Sequence, residues 1–194
     1  MPRTRSSRVL WLLAEIDAPC ELIKLAPEQR RSAEHRARHP LGRVPALELD
    51  DGTFMFESAA ICLQLADLYP HTGLTAPLGS PERALIYQWV LFAVTELEAP
   101  LFGWIREAEK DPAEPPSRER FTQAAAALQA ALEGRDWLLG DRFTAADVMC
   151  ASVLGGAHSR ALLTEWPGLQ AYVERGESRP AFTRAAEISN QPRR

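Results

Sequence analysis

The run from Pro70 to Pro81, Pro-His-Thr-Gly-Leu-Thr-Ala-Pro-Leu-Gly-Ser-Pro, suits neither a helix interior nor a sheet interior. Its prolines lack the backbone donor that both structures need, and its glycines lose the most freedom on ordering. The sequence on its two sides follows different periodicities. Before it the elements are mixed; after it everything reads as helix. The chain therefore divides into residues 1–72 and 81–194, with residues 73–80 as connector. At 194 residues, 46% hydrophobic and 25% charged, it is long enough to bury about 70% of its unfolded surface without a disulfide or metal staple.

In the first part Val9, Leu12, Leu13 and Ile16 recur at helical spacing, and Asp17-Ala18-Pro19 ends that helix. Leu22, Ile23 and Leu25 predict a short strand. Glu28 to His39 is polar and Arg-rich and predicts one short exposed helix with a solvated face. Val44 to Leu49 then alternates, Asp51-Gly52 supplies the positive φ of a tight turn, and Thr53 to Phe56 resumes, which predicts a β-hairpin. Glu57 and Ser58 stand where the hairpin gives way to a helix carrying Ile61, Leu65 and Leu68. The order is a βαβ-then-ββα unit.

The second part predicts helices over Glu82–Lys110, Ser117–Gly134, Thr144–Arg160, Pro167–Glu177 and Ala181–Ile188, with Asp111 to Pro116 as a breaker. Thr144-Ala145-Ala146-Asp147 has the form of a capping box, a stabilising device. Pro167 sits well at a helix start, where its missing N–H would be unpaired anyway.

Charge and cysteine usage exclude several classes. Twenty-two Lys plus Arg against 26 Asp plus Glu leave a net charge of −4, and the basic residues are dispersed, so nucleic acid is not an expected partner. The longest uncharged apolar stretch, Ala84 to Thr95, falls short of the ~18 residues that cross a bilayer, so no membrane span is expected. Arg3, Arg5 and Arg8 before Val9 to Ala14 faintly resemble a signal peptide but lack a cleavage site, and a cytoplasmic location is expected. Cys20, Cys62 and Cys150 form no CxxC pair and are expected to be small buried apolar residues. His35, His39, His71 and His158 are scattered, and no metal site is expected.

Taken in order, Thr4-Arg5-Ser6-Ser7-Arg8-Val9-Leu10-Trp11, Gly42-Arg43-Val44-Pro45-Ala46-Leu47, Glu57-Ser58-Ala59-Ala60-Ile61 and Phe143-Thr144-Ala145-Ala146-Asp147 resemble the cytosolic glutathione S-transferases of bacterial type. Arg179-Pro180-Ala181-Phe182 extends the resemblance almost to the C-terminus. The resemblance implies an α/β thioredoxin-like N-terminal domain, an all-α C-terminal domain and a homodimer. Only Met1-Pro2-Arg3 precede Thr4, where the family carries a strand of apolar residues, so the first β-strand is expected to be missing. Asn, common in the family before the proline that leads the loop, is replaced by His39.

By the same resemblance the co-substrate is glutathione, held without metal. Val44 would pair with the cysteinyl backbone and a cis Pro45 would hold it. Ser58 would take the γ-glutamyl carboxylate where helix N–H groups favour negative charge, Glu57 the ligand's ammonium, and Arg43 the glycyl carboxylate. The alternative for Ser58 alone is a helix cap. Thr4 aligns with the catalytic hydroxyl of serine-type members, with Ser6 and Ser7 within a turn of it; any of the three can instead be the N-cap. The second substrate, an electrophilic small molecule, would lie between the domains against the long first helix of the second part, with Phe102 and Trp104 as pocket residues beside Trp89 and Ile105. Conjugation is the implied reaction, with glutathione-dependent peroxidase or isomerase chemistry at the same site. The alternative is a noncatalytic glutathione-transferase-like binding or dimerisation module. A thioredoxin-type oxidoreductase would need a cysteine pair that the chain lacks.

Overall fold

The structure, a computed structural model, describes residues 4–110 and 115–191. The expected breaker at Asp111 therefore falls partly outside the described residues, as do Met1-Pro2-Arg3.

Helix α1 (Arg5–Ile16) buries every predicted apolar position and stops at Asp17, whose backbone turns left-handed at φ 52° and donates to the Leu13 carbonyl. Two neighbours cover it. Helix α3 (Ser58–Leu68) packs on one side through Ile61, Cys62 and Leu65. Helix α9 (Pro180–Asn190) packs on another, with the Phe182 ring edge-on to Trp11 at 5.0 Å and Arg184 donating to the Ala14 carbonyl at 2.7 Å. The last helix was expected within the 81–194 domain. Instead the described residues up to Thr72 and those from Pro180 onward form one compact unit, and Gly73–Arg179 forms the other. Periodicity predicts that a helix has an apolar stripe; it does not say which partner the stripe will cover.

The strand expected at Leu22–Leu25 does not form. Leu22 and Ile23 are 38% and 62% exposed, and Lys24 instead donates to the Ser189 carbonyl at 2.8 Å. A short apolar run makes a strand only where a neighbour pairs with it, and among the described residues the sheet consists of β1 (Ala46–Glu48) and β2 (Phe54–Phe56) alone. Cys20, beside this segment, is exposed rather than buried, whereas Cys62 and Cys150 are buried as expected. The hairpin has the predicted turn: Gly52 takes φ 82°, and the Leu49 N–H donates to the Thr53 carbonyl at 2.9 Å. Ala46 pairs with Phe56, Leu47 with Met55 and Glu48 with Phe54. The Arg-rich stretch forms a short 3₁₀ turn and helix α2 (Ala33–Arg38).

The second unit is helical. Pro81–Ala108 is a continuous helical run made of α4 (Pro81–Phe92), a π turn at Ala93–Glu98 and α5 (Ala99–Ala108). Pro100 explains the π turn, since it has no N–H to return to the preceding turn and its ring crowds that turn's carbonyl. This run is long and apolar enough to cross a bilayer by length and composition, unlike the shorter uncharged stretch within it; it packs on α7 (Ala145–His158) and α6 (Pro116–Ala131). Helix α8 (Pro167–Glu177) starts on Pro167 as predicted. The capping box at α7 is present, and the fully buried Asp147 carboxylate accepts from the Thr144 N–H at 2.8 Å, the Leu138 N–H at 3.0 Å and the Tyr172 hydroxyl at 3.0 Å.

Candidate active site

Every sequence-predicted glutathione residue lies in the first unit, and the hairpin joins two of the motifs. Because Ala46 pairs with Phe56, the next positions outward on the two strands are Pro45 and Glu57. Val44-Pro45 thus enters β1 at the end of the hairpin where β2 gives way to α3. The Val44–Pro45 peptide bond is cis. Just before it, Gly42 holds φ 59°, and a Cβ there would lie 2.6 Å from the Arg30 carbonyl oxygen, so the loop closes only around glycine. Arg43 itself is exposed.

Glu57 is the N-cap of α3 and sits at φ 68°, ψ 106°, a backbone region that costs a residue with a side chain ~1–3 kcal/mol. Its carboxylate makes no capping bond to the helix that it begins. Ser58 follows, buried at 3% exposure. A strained acid beside a buried hydroxyl at a helix N-terminus is an arrangement that folding alone does not favour, and it presents a negative group next to a site suited to an anion. That is the charge pattern of an amino-acid head group in reverse.

At α1, Thr4 is the N-cap. Its N–H donates to Ser7 Oγ at 3.1 Å, the two hydroxyl oxygens lie 3.4 Å apart, and the Ser7 N–H returns to the Thr4 carbonyl at 2.9 Å. Ser7 is buried, Ser6 half-buried and Thr4 exposed. The three hydroxyls are thereby sorted: Ser7 completes the cap, and Thr4 is the outermost.

Three residues to which the sequence assigns no role in the site support it. His35 and His39 are not scattered. Both are buried, their rings lie 6.4 Å apart, and they brace the loop. His35 Nε2 is 2.8 Å from the Arg43 carbonyl, and His39 Nδ1 accepts from the Leu41 N–H at 3.3 Å while its ring stacks at 5.1 Å on Phe56. Burial pushes the His39 imidazole below its ordinary value; Glu57 opposes that, while His35 and Arg43 add to it. The i, i+4 spacing of these histidines is the signal that could have paired them. The third residue, Arg8, is buried with its guanidinium 3.5 Å from Ser58 Oγ, and nothing in the sequence distinguishes it from the chain's surface arginines.

In the helical unit Phe102 is 42% exposed, and Trp89 and Ile105 are half-buried. Trp104 is half-buried, packs 5.6 Å from the Phe121 ring and has Arg118 stacked over it.

Residues 4–75 match the family of glutathione S-transferase N-terminal domains, and residues 88–175 that of glutathione S-transferase C-terminal domains. The chain belongs to the glutathione S-transferase family. It is 34% identical over 150 residues to the glutathione S-transferase GstA of Escherichia coli O157:H7, covering 76% of this chain and 74% of that one. It is 30% identical over 198 residues to a maleylacetoacetate isomerase of Pseudomonas aeruginosa, covering 98% and 92%. Among solved structures it resembles a sphingomonad glutathione S-transferase complexed with glutathione, with a TM-score of 0.86, 29% identity and coverage of 98% and 97%. Residues 4–75 thus carry the thioredoxin-like domain of the transferase fold, and residues 88–175 lie in its helical domain.

Proposed function

We propose that the chain is a glutathione S-transferase that joins the glutathione thiolate to an electrophilic small molecule. The observation that carries this reading is the juxtaposition of strained Glu57, buried Ser58 and the Val44-Pro45 segment, with membership of the family behind it. In this reading Val44 pairs with the cysteinyl backbone, Ser58 and the α3 N–H groups receive the γ-glutamyl carboxylate, Glu57 pairs with the ammonium, and exposed Arg43 reaches the glycyl carboxylate.

Thiol activation falls to Thr4. Only the thiolate attacks electrophiles, and lowering a thiol from ~8.5 by ~2 units requires ~2.7 kcal/mol of preferential stabilisation. A hydroxyl at the start of α1 supplies part of that, aided by the N–H groups of the first turn. Ser6 is the secondary donor, and Ser7 holds Thr4 in place through the cap. Phe102 is the candidate contact for an apolar electrophile. Glutathione-assisted isomerisation uses the same thiolate, and the similarity to an isomerase along nearly the whole chain supports keeping it within the reading. The protein acts in the cytoplasm as a homodimer, with no role for nucleic acid, membrane or metal.

Conjugation of a chromogenic electrophile by wild type and Thr4→Ala tests the reading, with Ser6 and Ser7 intact. Loss of rate with retained glutathione affinity is expected. Unchanged rates would refute the Thr4 assignment. The second reading, a noncatalytic module, is favoured by the engagement of Thr4 in the helix cap, and it predicts glutathione binding without conjugation in the wild type.

A further inference from the structure

Arginine is rarely buried, yet Arg8 keeps only 3% of its exposure. It lies four residues after Thr4 on α1, one turn on along the same face. Its Nη1 stands 3.5 Å from Ser58 Oγ at the start of α3, at the long end of hydrogen-bond range. The main chain ties the same two elements together, since the Cys62 thiol on the next turn of α3 donates to the Arg8 carbonyl at 3.9 Å. Burial pushes that thiol up to about 12 against the pull of Arg8, so it stays protonated and in place as donor. Arg8 is therefore held against α3 by both its backbone and its side chain.

A serine hydroxyl has one proton to give and two lone pairs with which to accept. Left alone, the Ser58 hydroxyl can spend its oxygen on capping α3 and turn its proton elsewhere. A guanidinium offers only donors and does not lose its charge, so an Oγ that faces it must accept there. The Ser58 proton is then left to be donated to an anion arriving at the helix start, and the cation behind Oγ strengthens that donation.

We propose that Arg8 is a positioning residue for the γ-glutamyl carboxylate of glutathione, acting through Ser58 by fixing the direction of its hydroxyl and placing a permanent positive charge beneath it. The proposal rests on the glutathione reading above. It makes the chain selective for a ligand that carries a carboxylate at this point, and Arg8 contributes little to a ligand that lacks one.

The test is calorimetric. Glutathione affinity is measured for wild type, Arg8→Gln, Ser58→Ala and the double variant, and repeated with an analogue whose γ-glutamyl α-carboxylate is an amide. Each single variant is expected to weaken glutathione about tenfold, the scale of one charge-assisted hydrogen bond. The double variant is expected to bind as Ser58→Ala does, Arg8→Lys to recover most of the loss, and Arg8→Gln to bind the amide as wild type does. Additive losses in the double variant, or an equal loss for the amide, would overturn the proposal and leave Arg8 as packing. If Arg8→Gln does not fold, nuclear magnetic resonance of the guanidinium in the unaltered chain decides. Glutathione should shift the Arg8 signal and the amide should not, and equal shifts would overturn the proposal. Wild type that fails to bind glutathione at all would instead remove the glutathione reading, and this inference with it.

Discussion

Replacing Glu57 by glycine should make the protein more stable and a poorer binder of glutathione at once. The backbone at φ 68°, ψ 106° costs a residue with a Cβ ~1–3 kcal/mol, and glycine removes that cost. Against this, glycine's freer unfolded chain takes back ~0.5–1 kcal/mol. No helix cap is lost, because the Glu57 carboxylate makes none, and glycine is itself tolerated at an N-cap. The net is a gain of about 1 kcal/mol, or a rise of ~2–4 °C in Tm for a chain of this length. In the opposite direction, losing a charge-assisted bond to the ligand's ammonium weakens binding by ~10- to 100-fold. Thermal unfolding of the ligand-free protein followed by circular dichroism reads the first effect, and titration calorimetry the second. Glu57→Ala is the control: it keeps the Cβ and the strain, so it should lose affinity without gaining stability. A fall in the stability of Glu57→Gly would refute the claim that the acid is held under strain, and unchanged affinity would refute the claim that the strain is retained for the ligand.

Further outcomes follow from the same contacts. Asp147→Asn replaces one acceptor oxygen with a donor among the buried Leu138, Thr144 and Tyr172 donors, and should cost ~2–4 kcal/mol in urea unfolding; a loss under ~1 kcal/mol would contradict the hydrogen-bond account. His39 has a folded value held below the ordinary 6.5, so its neutral form stabilises the fold above that pH, and this contribution is lost as pH falls through the folded value. Stability should therefore decline as the solution is acidified below about 6.5, and His39→Asn should flatten the decline; an unchanged slope would acquit His39.

The parts of the fold that were legible in the sequence carry their cause locally. Asp51-Gly52 can only turn, Asp17-Ala18-Pro19 can only stop a helix, and Thr144 with Asp147 forms a cap from residues three apart. The parts that were not legible depend on a partner. Leu22, Ile23 and Leu25 have the apolar character of a strand, but none of the described strands pairs with them, and the stripe of α9 could have covered any apolar helix before it met α1. Pro100 gives the π turn a local cause, but the helix expected from Glu82 to Lys110 reads straight through it, since a single inserted residue leaves the periodicity almost intact.

The site divides the same way. Thr4, Val44-Pro45, Glu57 and Ser58 are recognisable as motifs, whereas the positive φ of Glu57 has no signature, because local preference argues against it. Arg8 is indistinguishable by composition from the exposed arginines of the chain, and its burial comes from the packing of α1 in the fold. His35 and His39 read as scattered in the sequence, and only the folded loop brings their rings together.

The ultraviolet absorbance of glutathione's thiolate, titrated against pH with and without saturating protein, tests the central claim in one experiment. The account predicts that bound glutathione ionises ~2 pH units below the free thiol's ~8.5, and that Thr4→Ala returns most of that shift while still binding the peptide. A bound thiol that ionises where the free one does would contradict it, and would leave the chain a binder of glutathione rather than its activator.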